Sequence, residues 1–166
     1  MPDFSTKNVL NAVKNWLEAN KNNFLTDIDN REIEQITISK LAIPYGYYFI
    51  LVHTVGNTQT HSIGANTYKG IQSNEYPVGI TIIDKAELMI NDDSDFELYA
   101  LDFASLCDKI VQSLYESESI GNFKIKSNTN EEANRSIRFI DNTVLNLTDD
   151  DAFEFVLAGQ ISFVLT

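Results

Sequence analysis

The sequence has few of the residues that build metal sites and disulfide frameworks. It contains one cysteine and two histidines in 166 residues, which excludes an internal disulfide and argues against a Cys- or His-rich metal site. No Walker loop, G-x-G-x-x-G, G-x-S-x-G or H-E-x-x-H motif occurs. Among the 24 acidic residues, no catalytic carboxylate pair stands out. We therefore expect a protein that is not an enzyme and uses no cofactor or metal.

Basic residues are also scarce. Lys and Arg number 12 against 24 Asp and Glu, which gives a net charge of −12. This balance argues against a general nucleic-acid binder, because phosphate contacts need clustered Lys and Arg. No apolar run is long enough to span a membrane, and the N-terminus MPDFSTKNVLNAV lacks the apolar segment of a signal peptide. We expect a cytosolic product without a membrane partner.

Three side chains of reactive types are present, and their surroundings in the sequence predict structural roles for them. His53 lies within an apolar run, His61 lies in a polar segment, and neither has the neighbours of a metal site. Cys107 falls beside the apolar stripe of a predicted helix. A cysteine in that position is expected to be buried and inert.

The pattern around which the chain is organised runs from Ser94 to Glu116. Its large apolar residues recur at spacings of three, four and seven, which places them on one stripe of a helix. They are Phe96, Tyr99, Phe103, Leu106, Ile110 and Leu114. Ser94 followed by Glu97 is a capping-box pattern, and it predicts where the helix begins. Such a stripe has to be covered, and we expect a sheet to cover it.

The remaining patterns predict one short helix and several strands. Residues 5–21 have the apolar spacing of an amphipathic helix. Strand patterns occur at 33–39, 47–55, 76–83, 86–90, 123–127, 136–147 (in two pieces around a bend) and 152–166, the last with a kink at Ala158-Gly159. The polar segment 58–75 is predicted to form a long exposed hairpin arm or an ordered loop. We predict a single α+β domain over residues 1–166, with a mostly antiparallel sheet packed on one long helix, a short N-terminal helix and an extended β-hairpin arm.

This order of elements resembles that of the tail-terminator proteins of long-tailed bacteriophages and related contractile tail-like particles, which are also called tail-completion or head–tail joining proteins. The resemblance is one of order and length and spans nearly the whole chain. The segments that carry it are STKNVLNAVKNWLEANK, YYFILVHTV, YPVGITIID, SDFELYALDFASLCDKIVQSLYE and AFEFVLAGQISFVLT. Compared with the family, the chain is somewhat long, with the excess expected in residues 56–75 and 127–151.

The resemblance implies a structural virion protein that is made in the bacterial cytoplasm. Such a protein forms a homo-oligomeric, hexameric ring that caps the tail tube and meets the head-side connector. DNA would pass through the ring without specific binding, and an acidic lumen would prevent it from sticking. We expect subunit contacts in residues 58–73, with Ile63, Tyr68 and Ile71 as apolar anchors. Asp149, Asp150 and Asp151 are the expected lumen or rim charges.

Two functions from other classes stay open on the sequence. One is an acidic DNA mimic that inhibits a nuclease or host-defence protein, supported by residues 84–118, which hold ten acids and two lysines. The other is a small immunity or accessory protein that binds one toxin. All three functions suit an acidic α+β domain that is poor in cysteine.

Overall fold

The computed structural model describes residues 6–28, 31–38, 48–55, 60–63, 71–89, 93–126, 137–141, 144–147 and 152–166. The two helices are separated by runs of consecutive strands, as in an α+β fold, so the predicted class is confirmed. In chain order the elements are α1 (Thr6–Phe24), β1 (Ile33–Thr37), β2 (Tyr48–Thr54), β3 (Thr60–Ile63), β4 (Ile71–Met89), α2 (Asp93–Glu116), β5 (Ser119–Ile120), β6 (Phe123–Lys124), β7 (Arg138–Asp141), β8 (Val144–Leu147) and β9 (Ala152–Leu165).

The strands form one mixed sheet and one small ribbon. The sheet has the order β1-β2-β4-β9-β7, with β3 also paired to β4 and β8 also paired to β9, while β5 and β6 form the ribbon. Strands β1 and β2 are parallel, and the other strand pairs of the described chain are antiparallel. The prediction of a mostly antiparallel sheet is therefore confirmed.

The pairing of β4 with β9 forms the centre of this sheet. Its register runs without a break from Tyr76 opposite Leu165 to Met89 opposite Ala152. The two strand patterns predicted around 76–83 and 86–90 are thus one strand of 19 residues, which at about 3.3 Å per residue is about 60 Å long. The pairing also continues past Gly159, where we expected a kink, without a β-bulge.

Both helices pack on the same side of the sheet, which we call the helix-facing side. Alternate residues of the central strands point to that side, as a period of two requires. The buried core on that side includes Val13 and Leu17 of α1, Leu106 and Ile110 of α2, and Ile80 of β4. The predicted apolar stripe of α2 is buried at Phe103, Leu106, Ile110 and Leu114, whereas Tyr99 is half-buried and the side chain of Phe96 lies outside the described residues. Neither helix of the described chain combines the length and apolarity that a membrane span requires.

Several predicted element ends differ from the structure. Helix α1 continues to Phe24, three residues beyond the predicted end at residue 21, because the fully buried Phe24 anchors an additional turn. Helix α2 begins at Asp93, so Ser94 lies in its first turn and is not the N-cap. Gly121, which lies just beyond the apolar run of α2, has a φ of 59° in the turn between β5 and β6.

The strand pattern at 33–39 predicts that Ile36 and Ile38 both point to the core, and this prediction is wrong for Ile38. Ile36 is buried as expected, but Thr37 is buried as well and 36% of the Ile38 side chain is exposed. Strand β1 ends at Thr37, so the strand alternation no longer determines where Ile38 points.

Candidate functional site

The hairpin arm predicted to make subunit contacts is present in the backbone. Strand β3 pairs antiparallel with the first residues of β4, with Thr60 opposite Glu75 and Ile63 opposite Ile71. The pairing therefore brings two of the three predicted anchors together. Their side chains and the whole of Tyr68 lie outside the described residues, so the contact role of this arm stays a prediction.

The predicted acidic lumen residues Asp149, Asp150 and Asp151 also lie outside the described residues, between the end of β8 and the start of β9. Ala152, the next residue, is opposite Met89 at the last position of β4. The arm joins β4 at the other end, at Ile71. The described residues nearest to the two predicted sites are therefore separated by nearly the whole of β4, about 60 Å.

The sheet ends at β7, an edge strand whose four side chains are all exposed. Phe139 is 47% exposed and Ile140 is 50% exposed. Phe139 lies opposite Ile161 on the helix-facing side, and Ile140 points to the opposite side because successive strand residues alternate. An exposed apolar edge strand offers unpaired backbone groups and apolar contacts to another strand.

The other described segments on this side of β9 pair with β9 before and after β7, and none of them pairs with β7. Ile125 pairs with Leu165, and the Lys126 amide donates a hydrogen bond of 2.8 Å to the carbonyl of Val164. Farther along β9, strand β8 pairs with it in place of β7, with Leu147 opposite Phe153. No described strand pairs with β7 on its outer side. This edge is a candidate interaction surface.

The opposite edge, β1, is constructed differently. Ile33, Ile36 and Thr37 are buried, whereas Glu34 is exposed. A register shift between Ile33 and Gln35 interrupts the pairing of β1 with β2. Bulges and charges of this kind limit indiscriminate pairing at sheet edges.

Two apolar side chains on α2 form a third exposed feature. Leu98 is 58% exposed and Leu101 is 61% exposed. They are three residues apart, so they are neighbours on the helix surface. They lie off the buried stripe, which is the signal in the sequence that could have identified them.

A buried ion pair lies where the start of β2, the middle of β4 and the first half of α2 meet. Asp84 is fully buried on the helix-facing side, between Tyr48 and Leu157 in neighbouring strands. Arg31 forms an ion pair with Asp84, and 9% of its side chain is exposed. The guanidinium carbon lies 4.4 Å from the ring centroid of Tyr48 and 5.0 Å from that of Tyr99, so two aromatic faces also contact this cation.

Burial dominates the electrostatics of this cluster. It raises the pKa of Asp84, although the hydrogen bond and the charge of Arg31 act in the opposite direction. Burial raises the pKa of Tyr48 as well. Arg31 Nε and Nη1, the Tyr48 hydroxyl and Asp84 Oδ2 are buried without a hydrogen-bond partner. We interpret the cluster as a structural element, because its ionisable groups are enclosed.

A signal for this cluster is present in the sequence, although we did not predict the cluster from it. Val78, Ile80 and Ile82 occupy alternate positions of β4 and point into the core. Asp84 occupies the next position of the same alternation, so the pattern predicts that its carboxyl group points into the core. An acid in that position requires a buried cation or a hydrogen-bond donor nearby. No comparable signal identifies Arg31, since it lies outside any periodic segment.

The predicted burial of Cys107 is confirmed, and both ring nitrogens of His53 have hydrogen-bond partners, as expected of a structural histidine. His53 Nδ1 donates a hydrogen bond of 2.9 Å to the carbonyl of Thr54, and Nε2 lies 2.7 Å from the hydroxyl of Thr81. Cys107 is 2% exposed, and burial raises the pKa of its thiol to about 12, so the nucleophilic thiolate is suppressed at neutral pH. The side chain of His61 lies outside the described residues.

The described side chains form no group of three or more His, Cys, Asp or Glu residues that could hold a metal ion. A scan against protein-family models finds no match, and a search of curated proteins finds no significant relative. We therefore infer function from the surfaces of this molecule.

Proposed function

We propose that this protein is a structural virion protein that assembles as a homo-oligomeric, hexameric ring. The ring caps the tail tube and joins it to the head-side connector, and DNA passes through it without specific binding. The protein acts by assembly in this role and needs no catalytic site or cofactor.

The exposed β7 edge is the observation that carries this proposal. Phe139 and Ile140 are about half exposed on adjacent residues of a strand that lacks a partner on its outer side in the described chain. Apolar side chains beside unpaired backbone groups are the features that strand addition uses. A protein that assembles through strand addition has a reason to keep such an edge.

The charge of the chain supports the same role. A net charge of −12 repels the phosphate backbone, which suits a ring through which DNA slides. The proposed lumen or rim charges are Asp149, Asp150 and Asp151. The proposed arm contacts are Ile63, Tyr68 and Ile71.

Native mass spectrometry over a range of protein concentrations, with negative-stain imaging, tests this proposal. We expect a closed ring of the wild-type protein, either alone or after addition of purified tail tubes, which the ring should cap. The double variant F139S/I140T should remain monomeric with an unchanged circular dichroism spectrum, since both side chains are exposed in the monomer. A wild-type protein that stays monomeric and does not cap tail tubes would overturn the proposal.

The DNA mimic is the alternative that the acidic residues of α2 favour. Glu97, Asp108 and Glu116 are exposed along this helix. At 1.5 Å of rise per residue they are separated by about 16 and 12 Å along the axis, whereas phosphates of a DNA strand follow each other at about 3.4 Å. Asp84 is buried in an ion pair and is not available to a partner.

A stable monomer that binds a basic nuclease in a salt-dependent manner would support the mimic, and tight one-to-one binding of a toxin would support an immunity protein.

A further inference from the structure

We propose that the β7 edge of one copy pairs antiparallel with the β1 edge of a second copy, so that the sheet continues from subunit to subunit. This inference depends on the proposed self-assembly and specifies the two surfaces that carry it. The occupant of the β7 edge is thus a strand of the same protein, supplied by the opposite edge of its sheet.

The strand directions of the two edges are compatible with this pairing. Strand β1 is parallel to β2, β2 is antiparallel to β4, β4 is antiparallel to β9, and β9 is antiparallel to β7. The edges β1 and β7 therefore run in opposite directions. When a second copy is placed beside the first with its helices on the same side, its β1 is antiparallel to the first copy's β7.

The contact is heterologous, because it uses a different edge of each copy. Each added copy uses one of its two edges, so the growing assembly presents a β1 edge at one end and a β7 edge at the other. A heterologous contact propagates until the rotation between copies closes a ring. This edge pairing can therefore build a cyclic assembly without any second interface.

The charges of the two edges offer one complementary contact for this pairing. Glu34 is exposed on β1 and Arg138 is exposed on β7. Strand β7 also carries the exposed Asp141, so two β7 edges would bring charges of both signs together, whereas two β1 edges would bring together two Glu34 side chains. A contact between β7 and β1 can place Arg138 against Glu34, and complementary charges help to set the register of an interface.

Exposed apolar side chains are present at both edges. Ile38 follows β1 directly, and Phe139 and Ile140 belong to β7. Burial of these side chains would add an apolar contribution to the backbone hydrogen bonds. The edge pairing therefore accounts for three of the exposed large apolar residues of the described chain.

Cysteine crosslinking distinguishes the possible pairings. The variants E34C and R138C are prepared singly and are also co-expressed, and each sample is treated with a short bismaleimide. The wild-type protein is the control, because its Cys107 is buried and has a pKa of about 12. We expect covalent dimers to form strongly only in the co-expressed sample.

Each outcome of this experiment supports or overturns the inference. Dimers of R138C alone, or of E34C alone, would show pairing of like edges and overturn it. If the wild-type protein assembles and no sample crosslinks, the edge pairing is wrong while the ring proposal stands. If the wild-type protein never assembles, with or without tail tubes, both proposals fail.

A charge exchange provides an independent readout of the same contact. E34K alone and R138E alone should each weaken assembly by about tenfold or more, because each brings like charges together. The double variant E34K/R138E restores the opposite charges and should restore assembly. Failure of this rescue, with all three variants folded by circular dichroism, would contradict the direct pairing of these residues.

Discussion

The two edges of the sheet belong to the same layer but are held in place by different interactions. At β1, the side chains of Ile33, Ile36 and Thr37 are buried. Glu34 is exposed, and it lies where the register of the pairing with β2 shifts. At β7, all four side chains are exposed. The β1 edge is therefore part of the hydrophobic core, whereas β7 is held mainly by its backbone pairing with β9.

The buried ion pair adds to this difference. Arg31 precedes β1 by two residues and joins it to Asp84 in the centre of the sheet. The Tyr48 amide also donates a hydrogen bond of 3.0 Å to the carbonyl of Glu32. Substitutions of the buried residues at β1 should therefore affect folding, and substitutions of the exposed residues in β7 should affect assembly.

The largest expected effect is the loss of one partner of the ion pair. D84A leaves the Arg31 guanidinium buried without its counter-ion, which should lower the free energy of unfolding by about 3–5 kcal/mol. The double variant R31M/D84L removes both charges and should be about as stable as the wild type, or more stable. Urea denaturation measures both. A cost of D84A below about 1 kcal/mol, as for a surface pair, would contradict the burial of this interaction.

The same site should produce a pH dependence of stability with a defined sign. Because burial raises the pKa of Asp84 in the folded state, the folded protein binds the proton more tightly than the unfolded chain, whose Asp pKa is about 3.9. The contribution of Asp84 to stability is therefore largest below that pH and decreases as pH rises through the raised folded pKa.

The variant D84N is the matched reference for this dependence, since the amide that replaces the carboxyl group does not titrate. The difference in unfolding free energy between wild type and D84N should decrease as pH rises above about 4. Urea denaturation at a series of pH values measures it. If the difference increases with pH, attraction by Arg31 outweighs burial and the pKa is lowered.

A matched pair of substitutions compares the two edges directly. I36A removes a side chain that is 3% exposed at the β1 edge, and I140A removes one that is 50% exposed at the β7 edge. We expect I36A to cost about 2–5 kcal/mol of unfolding free energy and I140A to change it by about 0.5 kcal/mol or less. I140A should instead weaken assembly in native mass spectrometry. Equal losses of unfolding free energy in I36A and I140A would show that side-chain burial does not distinguish the two edges.

A smaller effect is expected where Phe139 covers Gly159. A Cβ atom on Gly159 would lie 2.6 Å from Cε2 and 2.8 Å from Cζ of the Phe139 ring. G159A should displace the ring and cost about 1 kcal/mol, the low end for overpacking, because the ring is half exposed and can move.

The control for this substitution is made in an F139A background, where the ring is absent. G159A should then cost little, so the two substitutions should be non-additive. Additive costs, measured by urea denaturation, would contradict the contact between Gly159 and Phe139.

Predictions from periodicity were accurate for several elements, although the longest strand, β4, was predicted in separate pieces. Helix α2 and strand β2 were placed within one residue of the observed ends, and the two strand pieces around Asp141-Asn142 correspond to β7 and β8. Their residues repeat at the period of the element, so the pattern is visible in the sequence. Single ends were less accurate, since caps and strand ends depend on contacts with other segments, as Phe24 of α1 and Ile38 after β1 illustrate.

The surfaces that matter for function were harder to predict. The sequence pointed to the arm around Ile63 and Ile71 as a contact surface, but offered no reason to choose Phe139 and Ile140. These two residues fit an ordinary strand pattern, and only the sheet order shows that their strand is at an edge. Exposure of an edge depends on what lies beside it, and this is a property of the whole sheet.

By itself, the sequence determined the class of fold, the acidic charge and the main periodic elements, because these depend on composition and on the repeat of each element. Tertiary structure alone decided which strands became edges and which charge was buried. It placed β1 and β7 at opposite sides of the sheet and brought Arg31 to Asp84 across 53 residues of chain. The physical reason is that strand order and ion pairing are set by long-range packing, which local sequence patterns do not encode.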